Sequence, residues 1–250
     1  MVKLSFEEIE LYKEKGFVVP NFKVSEDILG SLRQALEDTL RDNPKVRPEQ
    51  LASIHTPKSS AEDTIGHKTF LEVALDNELL DPVSSILGEH IIMWGVQLFC
   101  KPGDDGMEVP MHQDGQYWPI RPLATCTLWL AIDDSDRENG CLKVVPGSHK
   151  NAVHFDHKIE DRENLVLNQA IDDNRVNEMQ TEYVELEAGQ FSLHDVFLVH
   201  GSDVNTSGRR RAGFTVRYMP STSILRRDME IPFALSLIHI SEPTRPERIG

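Results

Sequence analysis

The sequence has few cysteines, no long apolar run and no secretory signal, and each shortage excludes a class of protein. There are three cysteines, Cys100, Cys126 and Cys141, an odd number without paired spacing, which argues against a disulfide framework and for a reducing compartment. The most apolar long segment, IIMWGVQLFC at residues 91–100, is too short to span a bilayer. The first residues are charged and lack an apolar signal stretch. We therefore expect a cytoplasmic protein with no membrane segment.

Basic residues are scarce relative to acidic ones. The 250 residues include 26 lysines and arginines against 41 aspartates and glutamates, which gives a formal net charge of −15. An acidic surface repels phosphate backbones, so we expect a small-molecule partner rather than nucleic acid. Apolar residues make up 39% and charged residues 27%, the balance of a soluble globular protein long enough for one large domain.

The first part of the chain, residues 1–90, has helical patterns. Ser5 and Glu8 form a capping box before an amphipathic stretch, and residues 26–42 carry one apolar stripe at helical spacing. Residues 41–65 are polar and contain proline, so we expect a loop there. Helical periodicity then returns before residue 90.

After residue 90 the chain changes to short β-rich runs separated by Gly, Pro and Asn. The predicted strands are 91–100, 123–133, 141–146, 182–187, 190–199 and 212–219. No long helical pattern intervenes, so the strands should pair antiparallel in a sandwich or jelly roll. Residues 151–181 are polar and form a long insertion; with residues 41–65 they should make the lid and rim of a site.

One short stretch, VPMHQDGQYWPIRP at residues 109–122, suggests a metal site. His112 and Asp114 are two residues apart, so their side chains leave the same face of an extended chain. Such a pair is not specific by itself. His154 and Asp156 make a second pair of this kind, but they lie in the polar insertion, where a rigid metal site would lack strand support.

A third ligand is available near the end of the predicted strand at 190–199. His200 closes the run GQFSLHDVFLVHGS, and His194 faces the same side six residues earlier, roughly 20 Å away along a strand. Only one of them should reach an ion held by His112 and Asp114, and the strand-end position favours His200. Two histidines and one carboxylate are the ligand set of non-haem Fe(II) oxygenases.

Arg211 stands eleven residues after His200, at the start of the next predicted strand. We expect the two residues to lie on neighbouring strands of a hairpin-like pair. A planar, permanently charged guanidinium suits a dicarboxylate cosubstrate, and Ser202 can add a hydroxyl group. The alternative is an ordinary basic turn, which accounts for Arg209 and Arg210 but not for the coincidence of Arg211 with the histidines.

These motifs resemble the phytanoyl-CoA dioxygenase family of Fe(II)- and 2-oxoglutarate-dependent oxygenases. The resemblance runs from about Leu4 to Pro220 and is strongest in VPMHQDGQYWPIRP, TLWLAIDDSDRENGCLKVVPGSHK and LVHGSDVNTSGRRRAGFTVRYMP. It implies a mainly β protein, a double-stranded β-helix (jelly roll, cupin-like) preceded by N-terminal α-helices. We expect one domain over residues 1–234, with a helical part over 1–90 and the β-helix core over 91–220.

The resemblance also implies roles for individual residues. His112, Asp114 and His200 would be the iron ligands, while Arg211 and Ser202 would hold the distal carboxylate of 2-oxoglutarate. Gln97 corresponds to a position that contacts the cosubstrate, and Trp129 to an aromatic residue packed beside it. Tyr117 and Trp118 correspond to positions that face the substrate.

The implied activity is that of a dioxygenase of the EC 1.14.11 type, using Fe(II), 2-oxoglutarate and O2. It would hydroxylate an unactivated C–H bond of a small metabolite and release succinate and CO2. Related halogenases replace the carboxylate at position 114 by a small residue, so Asp114 favours hydroxylation. The acyl-CoA recognition features of the name-giving enzyme are not evident. Three basic residues could meet an anionic substrate or serve ordinary surface and core pairs: Arg121, Lys143 and Arg217.

Three alternatives remain at this point. One is a cupin-type metal enzyme that does not use 2-oxoglutarate and has no need of Arg211. Another is a binding module that keeps the fold without the chemistry, against which the complete set of ligand residues argues. The last is an oxygenase inactivated by a truncated end.

The end of the chain carries an unusual segment. Residues 235–245, LSLIHISEPTR, match the translation of a transposon adapter used in preparing sequencing libraries. We therefore expect the natural sequence to be truncated near Ala234, and residues 235–250 to be a non-native tail with no designed partner in the fold.

Overall fold

The computed structural model describes residues 2–56, 64–172, 179–226 and 238–240, with the backbone alone for Tyr117 and for 238–240. The helices in these ranges are α1 (Phe6–Lys15), α2 (Glu26–Asp42), α3 (Lys68–Ala74) and α4 (Asn77–Leu87). The strands are β1 (Phe17–Val18), β2 (Leu51–Ala52), β3 (Ile91–Lys101), β4 (Val109–His112), β5 (Ile120–Arg121), β6 (Cys126–Ala131), β7 (Leu142–Val144), β8 (His157–Ile159), β9 (Gln169–Ile171), β10 (Glu182–Val184), β11 (Phe191–Asp195), β12 (His200–Ser202), β13 (Arg211–Pro220), β14 (Ile224–Leu225) and β15 (Ile238–Ile240). Short 3-10 helices lie at Pro48–Gln50, Asp114–Tyr117 and Lys150–Ala152.

Three of the four described helices begin at a residue whose side chain caps the first turn, whereas Ser25 before α2 makes no such hydrogen bond. The capping box of Ser5 and Glu8 is present at the start of α1, which ends at Gly16 in the left-handed region, φ 84°. The helical stretch before residue 90 is divided in two, because the Asp76 carboxylate accepts a hydrogen bond from the Glu78 amide and starts a new helix. No described helix is long and apolar enough to cross a membrane.

Two antiparallel sheets form the body of the protein. The larger sheet has the strand order β1-β11-β6-β13-β3-β15, and β2 also pairs with β3. The smaller sheet has the order β10-β7-β12-β4. Two further pairs stand apart from the sheets, β5 with β14 and β8 with β9. The predicted jelly roll with N-terminal helices is confirmed.

The two faces of the larger sheet have different neighbours. On one face, Phe214 packs on Phe70 of α3, with ring centroids 5.4 Å apart, and Leu32 of α2 joins the same buried cluster. On the other face, alternate residues line a cavity between the two sheets: Gln97, Phe99, Thr127, Trp129, Arg211, Thr215 and Arg217. The three cysteines are free and buried. The helices therefore support the sheet from behind, and its front is left for a site.

Four of the six predicted strands are shorter than expected, and in one of them the difference shapes the site. The stretch 190–199 is a strand only as far as Asp195, after which residues 196–197 turn. The Asp195 carboxylate accepts a hydrogen bond from the Phe197 amide at 2.8 Å, which stabilises this turn. The chain then crosses from the larger sheet to the smaller one, where His200 opens β12.

The polar insertion at 151–181 contains a strand pair that its sequence did not predict. β8 and β9 pair antiparallel, and β9 approaches β4. Arg162, between the two strands, forms a bidentate ion pair with Glu108 at 3.0 and 3.1 Å. Leu167 and Asn168 line the cavity from this hairpin, and Ala52 and Ser53 line it from the other side. The loop expected at 41–65 is interrupted there by a 3-10 helix and by β2, which pairs with β3. Residues 173–178 and 57–63 lie outside the described ranges.

The expectation that residues 235–250 have no partner in the fold is wrong at one point. β15, which lies within the adapter-like segment, pairs antiparallel with Ile91–Met93 of β3. An edge strand offers unpaired N–H and C=O groups, and a β-prone segment of any origin can satisfy them. The other residues of the range 235–250 lie outside the described part of the chain.

The buried hydroxyl of Tyr218 gives a test of how the helices hold the larger sheet. It donates to the Ala74 carbonyl at 2.6 Å and so joins β13 to the end of α3. Tyr218→Phe should lower the free energy of unfolding by about 1–3 kcal/mol, because the carbonyl is left unsatisfied. Urea denaturation measures the loss. The control is Tyr183→Phe, whose hydroxyl binds Asp203 near the surface and should change stability by about 0.5 kcal/mol or less. Equal losses would contradict this interpretation.

Candidate active site

The pairing of β4 with β12 brings two histidines together. His200 lies directly opposite His112 in the strand register, and the two ring centroids are 4.3 Å apart. Asp114 follows β4 at the start of a 3-10 helix, and its Oδ1 lies 3.6 Å from His112 Nε2 and 3.9 Å from His200 Nε2. One ligand atom from each residue lies within 4.8 Å of the others. The structure therefore brings together the three residues that the sequence suggested as ligands.

Backbone carbonyls orient both rings. The Nδ1 atoms of His112 and His200 lie 2.8 and 2.9 Å from the carbonyl oxygens of Pro110 and Leu198. A carbonyl can only accept, so each Nδ1 carries the hydrogen, and each Nε2 presents its lone pair toward Asp114. Burial and the neighbouring His112 hold the pKa of His200 well below its ordinary value. This orientation leaves both Nε2 atoms available to a metal ion.

The second oxygen of Asp114 faces the larger sheet. Three residues in cross-strand register, His194, Thr127 and Arg217, lie side by side on β11, β6 and β13. Thr127 Oγ1 donates to Asp114 Oδ2 at 3.1 Å, and His194 Nε2 and Arg217 Nε each lie 3.9 Å from it. We call these three residues the cross-strand row. They hold Oδ2 and leave Oδ1 for the site.

The charge of this carboxylate is favoured despite its burial. Burial alone would raise the pKa of Asp114, but the nearby Arg217 guanidinium outweighs it, and the pKa is held well below its usual range. The carboxylate is therefore ionised at neutral pH, as a metal ligand must be.

His194 lies much closer to the site than its sequence position suggested. The expected separation of roughly 20 Å from His200 assumed one straight strand, whereas the ring centroids are 4.7 Å apart. The turn after Asp195 is the reason, since it places the two histidines on different sheets that face each other. The signal in the sequence was Asp195 itself, because an aspartate side chain often accepts a hydrogen bond from the backbone amide two residues later and so forms a turn.

The rival pair in the insertion does not join the site. His154 packs its ring on Phe197, with centroids 4.8 Å apart, and is not among the described residues that could share a metal ion. Tyr117 lies in the short helix after Asp114, and its side chain is outside the description.

A buried cation lies elsewhere in the same cavity, which has a volume of about 350 Å³. Arg211 is 3% exposed, its Nε has no hydrogen-bond partner, and Nη1 makes only a long contact of 3.5 Å with the Phe99 carbonyl. Its guanidinium carbon lies 5.2 Å from the ring of Trp129. Burial lowers the pKa of Arg211 to about 10, so the group is still charged at neutral pH. It forms no salt bridge with any described residue, which leaves its donors free for an anion.

The expected hairpin between His200 and Arg211 is not formed. β12 pairs with β4 and β7 in the smaller sheet, whereas β13 pairs with β3 and β6 in the larger one. Ser202 and Arg211 instead line the cavity from opposite sheets, and both are buried. The eight residues between the two strands are enough to cross from one sheet to the other, so proximity in sequence did not mean strand pairing here.

The aromatic residues of the cavity stand at its two ends. Trp129 lies over the backbone at Gly213, where an added Cβ would come within 2.1 Å of its ring, so only glycine fits. Trp118, 6% exposed, meets Trp94 edge-on with ring centroids 4.4 Å apart. The rings give the cavity apolar walls, with polar groups placed at a few points.

The donor set fits a divalent iron ion. Two imidazole nitrogens and one carboxylate oxygen lie within 4.8 Å of one another, and all three residues line the cavity. This arrangement of two histidines and a carboxylate with open positions is typical of non-haem Fe(II) oxygenases.

Comparison with known proteins decides the family. The family model described as Phytanoyl-CoA dioxygenase (PhyH) matches residues 12–213. The chain belongs to this family. Peroxisomal phytanoyl-CoA dioxygenase of Mus musculus is 32% identical over 228 residues, which cover 84% of this chain and 67% of that protein. A phytanoyl-CoA dioxygenase domain-containing protein 1 homolog of Dictyostelium discoideum is 25% identical and covers 87% of this chain and 92% of its own length.

Two solved structures with bound 2-oxoglutarate share the fold. The epimerase SnoN, in complex with Fe3+, alpha ketoglutarate and nogalamycin RO, superposes with a TM-score of 0.71 at 18% identity, over 88% of this chain and 85% of that one. EctD from S. alaskensis, with 2-oxoglutarate and 5-hydroxyectoine, gives a TM-score of 0.69 at 20% identity, over 88% and 77% of the two chains. At these identities the likeness shows a common jelly roll.

Metal binding tests the three-residue cluster. His112→Ala, Asp114→Ala and His200→Ala should each abolish Mn(II) or Fe(II) binding in anaerobic calorimetry, because each removes one of three ligands. His154→Ala should bind as the unaltered protein does. His194→Ala should keep the site, with at most about a tenfold loss of affinity, because it only supports Asp114. Normal binding by His200→Ala, together with lost binding by His194→Ala, would reverse the assignment.

Proposed function

We propose that the protein is an Fe(II)- and 2-oxoglutarate-dependent dioxygenase, of the EC 1.14.11 type, that hydroxylates a C–H bond of a small metabolite. The observation that carries this proposal is the uncompensated Arg211 in the same cavity as the His112, Asp114 and His200 cluster. A buried charge is costly unless it is paired, so the cavity is suited to an anionic ligand beside a metal ion. A metal enzyme without 2-oxoglutarate would not need this arginine.

Each residue of the cluster has a defined part in holding the iron. His112 and His200 would bind through Nε2, and Asp114 through Oδ1, while its Oδ2 stays with the cross-strand row. When bound, the iron supplies O2 activation, in which 2-oxoglutarate becomes succinate and CO2 while one oxygen atom enters the substrate as hydroxyl. The cluster fixes ligand number and orientation, and the row keeps the carboxylate charged and in place.

Arg211 and Ser202 would bind the far carboxylate of 2-oxoglutarate. The guanidinium offers parallel N–H donors to a planar carboxylate, and the hydroxyl group adds one more donor. Trp129 stacks against the guanidinium and limits its movement, and Gly213 makes room for the indole. These contacts would place the keto-acid end of the cosubstrate toward the metal.

The remaining walls would receive the substrate and exclude water. Trp118 and Leu167 line the cavity, and the volume of about 350 Å³ is at the low end for small-molecule sites. A compact metabolite fits this space better than an entire acyl-CoA. Asp114 occupies the position at which halogenating relatives need space for a halide, which favours hydroxylation.

Cosubstrate binding tests the role of Arg211. In calorimetry on the Mn(II)-loaded protein, Arg211→Gln should weaken 2-oxoglutarate binding by about 30-fold or more, since removing one partner of a buried charge pair costs about 2–5 kcal/mol. Metal affinity should not change. Arg209→Gln is the matched control, because Arg209 is exposed and pairs with Asp136 outside the cavity. Equal weakening by the two changes would instead support the basic-turn alternative.

A turnover screen tests the reaction. The protein with Fe(II), 2-oxoglutarate and O2 should form succinate faster when the right metabolite is added, with one hydroxylated product per succinate above the background rate. Asp114→Ala should remove the stimulation. Oxidation of a metabolite at the same rate with and without 2-oxoglutarate would contradict the proposal and favour the cupin-type alternative.

A further inference from the structure

A second arginine lines the cavity on the same strand as Arg211. Arg217 lies six residues further along β13, on the face that points away from the helices. It stands opposite Gly95 in the strand register, and its Cδ would lie 3.7 Å from a Cβ placed at that glycine. That distance is an ordinary van der Waals contact, so the Arg217 stem lies along β3 at Gly95.

The donors of Arg217 are only partly used. Its side chain is 14% exposed, its nearest carboxylate oxygen is Asp114 Oδ2 at 3.9 Å, and Nη1 donates to the neutral Gln97 amide at 3.3 Å. Its Nε has no hydrogen-bond partner among the described residues. Arg217 therefore has hydrogen-bonding capacity left for a ligand.

Tryptophan rings form the wall around this guanidinium. Its carbon lies 5.6 Å from the ring of Trp118 and 6.0 Å from that of Trp94. Such contacts favour a cation but leave its in-plane N–H groups free, and they lower the local polarity. An anion that reaches Arg217 would be held more strongly there than in water.

The other two basic residues that the sequence suggested do not reach the cavity. Arg121 donates to the carbonyl oxygens of Trp118 and Ile120, and Lys143 pairs with Asp203. Neither lines the cavity. Of the three, only Arg217 can meet a ligand in the site.

The charges of the loaded cavity do not cancel. Among the described lining residues, Asp114 is the one acid and Arg211 and Arg217 are the two permanent cations. Fe(II) and 2-oxoglutarate carry equal and opposite charges, and Asp114 offsets one arginine. One positive charge is left in a largely buried space, and an uncompensated buried charge is unfavourable.

We propose that the substrate carries a single carboxylate that binds Arg217. This inference rests on the proposed function, because the charge count assumes bound iron and 2-oxoglutarate. One carboxylate would neutralise the loaded cavity, and its planar pair of oxygens matches the guanidinium fork. The body of the substrate would then lie against Trp118, beside the metal, with its anionic group fixed at the end away from 2-oxoglutarate.

Small carboxylates and their amides test this inference without knowledge of the substrate. Formate, acetate and benzoate, and the three corresponding amides, are titrated calorimetrically into Mn(II)-loaded protein with saturating 2-oxoglutarate. At least one carboxylate should bind about tenfold tighter than its amide. Formate can enter wherever water enters, so poor fit cannot account for a uniformly negative result.

Variants show whether the preference belongs to Arg217. Arg217→Gln should reduce the ratio of carboxylate to amide affinity to about one, Arg217→Lys should keep part of it, and Arg209→Gln should keep all of it. Thr127→Val removes the hydrogen bond to Asp114 without changing charge, so it should leave the ratio unchanged. Circular dichroism and Mn(II) affinity show that each variant is folded and loaded.

Several outcomes would overturn the inference. The first is that the unaltered protein binds no carboxylate more tightly than its amide, and the second is that this preference survives Arg217→Gln. The third is that Thr127→Val abolishes the preference as Arg217→Gln does, which would mean that Arg217 only positions Asp114. Failure of 2-oxoglutarate to bind is a separate result that removes the proposed function. The preference and its dependence on Arg217 are still measured in that case, on protein without cosubstrate.

Discussion

The carboxylate of Asp114 is buried between the two sheets and is contacted from both. Its Oδ1 faces His112 and His200 on the smaller sheet, and its Oδ2 faces the cross-strand row on the larger one. Burying a carboxylate costs several kcal/mol, which is recovered only with good partners on all sides. The position of this one group therefore constrains how the two sheets face each other, and the metal cluster exists only where both sheets are correctly placed.

Strand register is the means by which the sheets meet that constraint. A shift of one residue in β13 would turn Arg211 and Arg217 toward the helices and Phe214 into the cavity. The close fit of Trp129 over Gly213 and the burial of Phe214 against Phe70 both oppose such a shift. Packing on the helix side of the larger sheet thus fixes the charged groups on the other side.

The sequence predicted what depends on local pattern and on resemblance to the family. The jelly roll, the helical first part and the meeting of His112, Asp114 and His200 followed from periodicity and motifs. What it did not predict depends on contacts between distant segments. The stretch 190–199 is a nearly continuous apolar run and therefore predicts one straight strand, but a turn after Asp195 interrupts it. The straight strand would place His194 far from the site. The row around Asp114 needs the register of three strands, which one sequence does not reveal.

Two arginines on one strand place two positive charges along one wall of the cavity. Arg211 lies beside Trp129 and Arg217 beside Trp118, with Thr215 between them along β13 and the metal cluster across from the strand. An anion at each end and a metal between them would orient two ligands toward one point. This arrangement explains why the inner face of the larger sheet carries two permanent positive charges.

The most direct test of the account is the visible absorption that arises when 2-oxoglutarate chelates protein-bound Fe(II) in the absence of oxygen. The account predicts a charge-transfer band in the unaltered protein, no band in His200→Ala, and a band in Arg211→Gln that needs a much higher 2-oxoglutarate concentration. A protein that binds Fe(II) but shows no band at any 2-oxoglutarate concentration would contradict the central claim that one cavity holds both the metal and the cosubstrate.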